Sequence, residues 1–273
     1  MRVAAIQMCS GVDLDENIQD AEALIMSAAD DGAQLIATPE MTHCMQRSPK
    51  RLFKTITREQ DDKGLAHLQN LASQRGVYIL IGSLAVLGGN GKAVNRSFLI
   101  GPDGSIIARY DKIHLFDVTL SRAETYKESN VYERGYSAVT GMVDETKIGL
   151  SICYDVRFPE LYSSYANAGA SIITVPAAFT RLTGQAHWET LLRARAIETG
   201  CFIIAPAQGG EHADGRATWG RSMIIGPWGK VRAIRGNDTP GVITADIDLN
   251  DVAEARRKIP AWQHRPDYTV SAL

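Results

Sequence analysis

The sequence predicts an α/β fold in which strands and helices alternate along the chain. Two observations support this prediction. Short apolar runs, such as residues 3–8 and 35–38, alternate with segments whose apolar residues recur at helical spacing. The runs are mainly apolar rather than cleanly alternating, which is typical of strands covered on both faces. Layers of sheet and helix would cover them in this way.

The elements follow in a regular order. Asp13 or Asp15 can cap the first helix, which ends at Gly32, and a second helix over about 64–75 ends at Gly76. A third helix begins at Pro159 and ends at Gly169. Two more helices are predicted at about 187–199 and 250–258, and strands at 3–8, 35–38, 77–84, 94–100, 106–110, 147–152, 171–176, 201–207, 222–225 and 242–247. The segment 117–138 lacks linker composition, which favours an ordered functional loop.

Composition excludes several classes of protein. The net charge is -2 and the pI is about 6.3, so the chain has no basic surplus for nucleic acid or an anionic membrane. No apolar stretch reaches the roughly 20 residues of a membrane helix, and no signal peptide is visible. Four scattered cysteines form neither a disulfide framework nor a metal motif. We expect one cytoplasmic domain over residues 1–273, with reduced thiols.

Cys153 follows a buried strand and precedes the helix at Pro159. A thiol at such a turn can meet backbone N–H groups and a helix N-terminus, so we expect a lowered pKa and a reactive thiolate. The alternative is a small buried apolar residue, which is a common role for free cysteine.

Three charged residues occupy comparable positions. Glu40 and Lys112 each follow a predicted strand, and Glu128 lies in the long loop. Each one alone is more often a solvated surface charge. With Cys153 they would form a chemically complete set, although spacing alone does not bring them together.

These residues lie in motifs that resemble the nitrilase superfamily of carbon–nitrogen hydrolases. The motifs are Thr-Pro-Glu at Glu40, Tyr-Asp-Lys-Ile-His at Lys112 and Gly-Leu-Ser-Ile-Cys-Tyr-Asp-Val-Arg-Phe-Pro-Glu at Cys153. The resemblance covers nearly the whole chain. It implies a four-layer αββα sandwich that forms a homodimer or a higher homo-oligomer. In that assembly we expect the tail, residues 251–273, to pack at a subunit interface.

The resemblance also implies a reaction. Cys153 would be the nucleophile and Glu40 the general acid and base. Lys112 and the backbone N–H of Tyr154 would stabilise the oxyanion, and Glu128 would hold Lys112. The expected reaction turns a carboxamide into a carboxylic acid and ammonia through a thioester, with no metal and no cofactor.

Residues 177–198 resemble the Nit amidases, and residues 208–216 are closer to deaminated glutathione amidases than to omega-amidases. The alternatives are an omega-amidase for 2-oxoglutaramate or 2-oxosuccinamate, an N-carbamoyl hydrolase, a nitrilase and a silent scaffold subunit. Because these 2-oxo acid amides carry a carboxylate, we expect a cation in the substrate pocket. Arg157 and Arg181 are the candidates, with Phe179 as an apolar contact.

Two positions depart from the family pattern. Arg221 stands where a histidine is usual, and Gly226 stands where an aspartate is frequent. Both lie far along the chain from the catalytic motifs. They therefore affect the expected substrate preference or subunit contact rather than the reaction type.

Overall fold

The structure, a computed structural model, describes residues 1–120, 124–263, 266–267 and 269–271. The helices of these ranges are α1 (Leu14–Asp30), α2 (Pro49–Thr55), α3 (Lys63–Arg75), α4 (Pro159–Asn167), α5 (Arg181–Thr199) and α6 (Asn250–Lys258). The strands are β1 (Arg2–Gln7), β2 (Leu35–Ala37), β3 (Tyr78–Leu87), β4 (Ala93–Ile100), β5 (Ile106–Asp111), β6 (Asp117–Thr119), β7 (Thr125–Lys127), β8 (Tyr132–Glu133), β9 (Val139–Val143), β10 (Thr146–Leu150), β11 (Ile172–Thr174), β12 (Phe202–Ala205), β13 (Gly209–Glu211), β14 (Ala217–Trp219), β15 (Met223–Ile225), β16 (Val231–Ile234) and β17 (Gly241–Asp246).

Two large sheets form the centre of the molecule. The first has the order β17-β1-β2-β3-β4-β5, with β8 paired to β4. The second has the order β16-β15-β12-β11-β10-β9. The central strands β1-β2-β3 and β10-β11-β12 are parallel, and the main strands on either side are antiparallel. Each sheet therefore has parallel strands whose carboxyl ends share one edge.

Strand β1 shows how the layers form. Val3 and Ala5 belong to the core that contains residues of both sheets, whereas Ala4 and Ile6 pack in a second core with residues of α1 and α3. Successive side chains of a strand point to opposite faces, so one face of the first sheet meets the other sheet and its opposite face meets helices. On the second sheet, Gly149 of β10 faces Tyr165 of α4. The predicted αββα sandwich is confirmed.

Several elements differ from the prediction. Helix α5 begins at Arg181 rather than near residue 187, because the Thr180 side chain caps it by accepting a hydrogen bond from Thr183 N. In the sequence, Gly184 weakens the helical pattern at this position. In the structure, glycine leaves room for Trp219, because a Cβ here would lie 2.3 Å from Trp219 Cβ. The sequence prediction also missed α2, β9, β16, the β13–β14 hairpin and the short strands β6, β7 and β8.

The long loop and the tail are both partly ordered. The loop contains the β6–β7 pair and a 3₁₀ turn at Glu128–Asn130, as expected of a functional segment. In the tail, Arg256 of α6 donates to the carbonyl oxygens of Ala170 and Thr199 on its own chain. The predicted interface residues His264, Arg265 and Tyr268 lie outside the described residues. None of the helices in the described ranges is both long and apolar enough to cross a bilayer.

Candidate active site

The ends of three strands bring the predicted catalytic residues together. Glu40 lies three residues beyond β2, Lys112 follows β5 directly, and Cys153 lies three residues beyond β10. Lys112 Nζ is 2.8 Å from Glu40 Oε1, and Cys153 lines the same cavity as both residues. All three side chains are buried. The sequence placed each residue at a strand end, and the two packed sheets place the three in one cluster.

Glu40 is held by several donors. Its Oε1 accepts from Asn95 Nδ2 at 2.9 Å as well as from Lys112, and its Oε2 accepts from the backbone N–H of Ala178 at 2.9 Å. Gln208 Nε2 donates to the Glu40 carbonyl at 3.0 Å and fixes the backbone. Burial opposes ionisation of the carboxyl, but the charge of Lys112 and the hydrogen bonds outweigh it and lower the pKa of Glu40. Glu40 is therefore a carboxylate at neutral pH.

Lys112 is clamped between two carboxylates. Its Nζ lies 3.0 Å from Glu128 Oε2, and that oxygen also accepts from the backbone N–H of Phe116 at 2.6 Å. Burial favours the neutral amine, but the negative charges of Glu128 and Glu40 raise the pKa of Lys112 well above its ordinary value. Lys112 is therefore an ammonium ion, and its Nζ donates to one oxygen of Glu40 and to both oxygens of Glu128. The predicted contact between Glu128 and Lys112 is present.

The Cys153 turn has a strained backbone. Cys153 adopts a φ of 50°, a left-handed conformation that costs energy for a residue with a side chain. Its backbone N–H donates to the Pro176 carbonyl at 2.8 Å, which fixes the turn against the end of β11. Non-glycine residues in such conformations cluster at functional sites.

The expected lowering of the thiol pKa does not occur. Burial and the neighbouring Glu40 carboxylate raise the pKa of Cys153 well above its ordinary value, although Lys112 opposes the shift. The sequence could not reveal this, because the shift depends on a carboxylate 113 residues away along the chain. The resting pair is a neutral thiol beside a carboxylate, so the thiol needs a base at the moment of attack.

Asp155 connects the nucleophile turn to the segment that carries Lys112. Its carboxylate accepts from Tyr110 Oη at 2.7 Å, Ile152 N at 2.8 Å, and His114 N and Nδ1 at 3.0 and 2.7 Å. The side chain is completely buried. His114 also stacks on Phe158, with ring centroids 3.6 Å apart. One carboxylate thus contacts both the turn of Cys153 and the segment that follows Lys112.

A cavity of about 330 Å³ opens onto the catalytic residues. Glu40, Lys112, Glu128 and Cys153 line one part of it. Apolar side chains and threonines line the remainder, including Met41, Cys44, Met45, Leu52, Phe179, Thr180, Thr183 and Thr218. Three further cations, Arg47, Lys127 and Arg216, also line it. Four cations and two carboxylates give the wall a formal charge of +2, in a chain whose net charge is -2.

Some of the residues predicted to contact the substrate line the cavity, and others lie outside it. Phe179 and Tyr154 line the cavity. Arg157 and Arg181 are not among its lining residues. Arg157 lies 3.4 Å from His187 Nδ1, and Arg181 pairs with Glu211 and Asp238 on the surface. Besides Lys112, the cations that line the cavity are Arg47, Lys127 and Arg216.

Sequence reasoning missed four residues that hold the site. These are Asn95, Ala178, Gln208 and Arg216. Asn95 and Gln208 have isolated polar side chains within or beside apolar strands, and Ala178 acts through its backbone, so no side-chain pattern marks it. Arg216 lies in the 208–216 segment that was singled out for its resemblance, and this segment was the one signal available.

The two departures lie away from the cavity wall. Arg221 has a φ of 63°, and its carbonyl accepts from Trp188 Nε1 at 2.9 Å. The backbone N–H of Gly226 donates to the Lys230 carbonyl in a tight turn. Neither residue contacts the catalytic set, so the departures leave the reaction chemistry in place.

Comparison with known proteins agrees with this geometry. Residues 2–257 match the family model described as carbon-nitrogen hydrolase. The chain belongs to the carbon–nitrogen hydrolase family. A deaminated glutathione amidase of Synechocystis sp. is 43% identical over 267 residues, which are 96% of this chain and 97% of that protein. This carbon–nitrogen hydrolase is thus an enzyme that acts on amides.

Solved structures show the same fold. The Caenorhabditis elegans NitFhit protein aligns with a TM-score of 0.90 at 33% identity, over 97% of this hydrolase and 64% of that chain. An amidase from Nesterenkonia sp. aligns with a TM-score of 0.80 at 25% identity, over 95% of this chain and 96% of that one. That structure carries the acetamide moiety of fluoroacetamide covalently bound at its active site cysteine.

Proposed function

We propose that this hydrolase cleaves a linear amide through a thioester on Cys153. The carboxylate of Glu40 takes the thiol proton as Sγ attacks the amide carbonyl carbon. The Lys112 ammonium and the backbone N–H of Tyr154 donate to the developing oxyanion. The observation that carries this proposal is geometric: Glu40, Lys112 and Cys153 line the same part of one cavity, and Lys112 Nζ lies 2.8 Å from Glu40 Oε1.

The second half of the reaction uses the same residues. Protonated Glu40 gives its proton to the leaving nitrogen as the carbon–nitrogen bond breaks and the amine departs. Glu40 then takes a proton from water, which attacks the thioester carbonyl and releases the carboxylic acid. The thiolate regains the proton from Glu40. The covalent adduct at the active site cysteine of the Nesterenkonia amidase supports a cysteine nucleophile.

We propose deaminated glutathione as the substrate. Two features support it: the Synechocystis relative is a deaminated glutathione amidase, and the cationic cavity wall suits a molecule with carboxylates. The scissile amide of deaminated glutathione is secondary, so its leaving group is cysteinylglycine. The ammonia expected from the sequence applies only to primary amides such as 2-oxoglutaramate.

An assay with three readouts tests this substrate. The purified enzyme is given deaminated glutathione or 2-oxoglutaramate, and 2-oxoglutarate, cysteinylglycine and ammonia are measured against an enzyme-free control. We expect 2-oxoglutarate and cysteinylglycine in equal amounts from deaminated glutathione, with the higher kcat/KM. A kcat/KM that is about tenfold higher on 2-oxoglutaramate, a preference of about 1.4 kcal/mol, would favour an omega-amidase.

We also propose a cytoplasmic location. The four cysteines are unpaired, and a Cys153 nucleophile must remain reduced. A reducing compartment satisfies both conditions.

A further inference from the structure

The cavity has an uneven distribution of charge. Around Cys153, the carboxylates of Glu40 and Glu128 outnumber the single ammonium of Lys112. The other three charged side chains of the wall are all cations: Arg47, Lys127 and Arg216. A substrate carboxylate is repelled by the first group and attracted by the second. The geometry therefore favours an anionic substrate whose carboxylate lies away from the catalytic carboxylates.

Of the cations Arg47, Lys127 and Arg216, Arg216 has its orientation fixed by an ion pair. Its Nε and Nη2 lie 2.7 and 2.6 Å from Asp214 Oδ2, and the Asp214 side chain is only 2% exposed. Within the described structure, no hydrogen bond uses Nη1 of Arg216. A guanidinium anchored on one edge keeps the other edge available for a second carboxylate.

The loop that carries Arg216 is held by hydrogen bonds next to residues that line the cavity. Residues 212–216 connect β13 to β14, and His212 links this loop to Thr218 Oγ1 at 2.7 Å and to the Ser10 carbonyl at 2.9 Å. The backbone N–H of Trp219 donates to the Phe179 carbonyl at 2.9 Å. Thr218 and Phe179 both line the cavity. Arg216 is thus held in place before substrate arrives, which lowers the entropy cost of binding.

The other cations are less suitable. Arg47 and Lys127 are exposed, and neither forms an ion pair with a residue in the described part of the chain. Their long side chains would lose conformational freedom on binding. Arg181 lies outside the cavity wall and is paired with Glu211 and Asp238.

We propose that Arg216, held by Asp214, is a specificity-determining residue that binds a carboxylate of the substrate. This inference rests on the amidase function proposed above. Deaminated glutathione carries two carboxylates, one on the 2-oxo acid and one on the glycine. The shared chemistry is carboxylate recognition by a guanidinium, and the experiment identifies which carboxylate is bound.

Steady-state kinetics of Arg216→Gln test the proposal. A charge-assisted hydrogen bond predicts a KM for deaminated glutathione that is about 10- to 100-fold higher, with kcat changed by less than about threefold. Arg216→Lys keeps the charge but loses the two-pronged geometry, so its KM should lie between those of Arg216→Gln and the wild type. Arg181→Gln is the matched control, because it removes an arginine that is outside the cavity, and its KM should equal that of the wild type.

Methyl esters of the substrate identify the carboxylate. If the esterified carboxylate is the one that Arg216 binds, the KM of the wild type should rise. On that ester, the KM of Arg216→Gln should equal the KM of the wild type. Blocking the other carboxylate should leave the penalty of Arg216→Gln intact. A penalty that persists on both monoesters, or on the neutral diester, overturns the proposal and shows general damage to the site.

The two proposals can fail separately. If the wild type hydrolyses deaminated glutathione and Arg216→Gln has an unchanged KM, carboxylate binding by Arg216 is wrong and the amidase function stands. If the wild type prefers 2-oxoglutaramate, the same variants are compared on that amide, and an unchanged KM again overturns the proposal. If the wild type hydrolyses only neutral amides, both the substrate and the role of Arg216 are wrong.

Discussion

At neutral pH the Glu40 carboxyl is ionised and the Cys153 thiol is protonated, so the pair holds one proton. The pKa of Glu40 is below its ordinary 4.5, because Lys112 and its hydrogen-bond donors outweigh the effect of burial. The pKa of Cys153 is well above its ordinary 9.0, because burial and the Glu40 charge disfavour the thiolate. A separate general base is therefore part of the resting site, rather than a preformed thiolate.

These directions predict the pH profile of the free enzyme. As the pH falls, Glu40 gains a proton and no longer acts as a base, so kcat/KM should fall only below about pH 4.5. As the pH rises, Lys112 and Cys153 should both keep their protons past the ordinary thiol value, so kcat/KM should stay level to about pH 9. The profile is measured with a neutral amide, so that the substrate itself does not titrate. A rise in kcat/KM centred between pH 7 and 9 would instead indicate a thiolate that forms before substrate binds.

At the scale of elements, the strand ends set the site. The carboxyl ends of the central parallel strands share an edge in each sheet, so residues just past β2 and β10 can meet when the sheets pack. Asp155 then connects the 3₁₀ turn of Cys153 to Tyr110 of β5 through one hydrogen bond and to His114, after β5, through two. The relative position of Cys153 and Lys112 depends on this tie.

Asp155→Asn tests the tie. All four partners of Asp155 donate hydrogen bonds, and an amide nitrogen accepts none, so the variant leaves buried donors unpaired. We expect a loss of roughly 2–4 kcal/mol in the free energy of unfolding and a midpoint lower by roughly 5–10 °C. Asp103→Asn is the matched control, since Asp103 bonds only to Ser105 in an exposed turn that tolerates asparagine. Equal melting temperatures for the two variants would show that Asp155 is not a structural tie.

The sequence predicted the site residues better than it predicted their electrostatics. Cys153, Glu40 and Lys112 were singled out because each follows a predicted strand, and the resemblance to the nitrilase superfamily then implied their roles. Arg216 and Asn95 were missed because their roles depend on which strands and loops are neighbours in space. Helix α5 was placed too late because Gly184, which packs against Trp219, reads as a weak helical position.

At the scale of the whole molecule, the two sheets share one hydrophobic core, which supports our proposal of a single domain. An apolar patch remains on its surface. Ile197 of α5, Trp228 and Ile259 are each about 60% exposed, at 57%, 60% and 57%. A Cβ at Gly229 would lie 2.7 Å from Ile197 Cδ1, so Ile197 lies beside the turn of Trp228. Lys258, which precedes Ile259, has its Nζ 5.8 Å from the Trp228 ring centroid. Patches of this kind mark protein interfaces.

We propose that this patch pairs two copies of the chain. Trp228→Glu places a charge in the patch and should convert a dimer into a monomer at micromolar concentration, measured by light scattering coupled to size-exclusion chromatography. Tyr136→Glu is the control, because Tyr136 is 73% exposed and contacts Arg134 instead. A wild type that is monomeric, or a Trp228→Glu variant that stays dimeric, would remove the patch as the interface.

The central claim is that Cys153 is the nucleophile, and amide hydrolysis by Cys153→Ala tests it most directly. Cys44 is a matched control, since its thiol lines the same cavity and burial raises its pKa to about 11. We predict that Cys153→Ala loses at least about 10⁴-fold in kcat while its melting temperature stays near that of the wild type. Cys44→Ala should retain at least about a tenth of the wild-type kcat. Measurable turnover by Cys153→Ala, within about tenfold of the wild type, would contradict covalent catalysis at this residue.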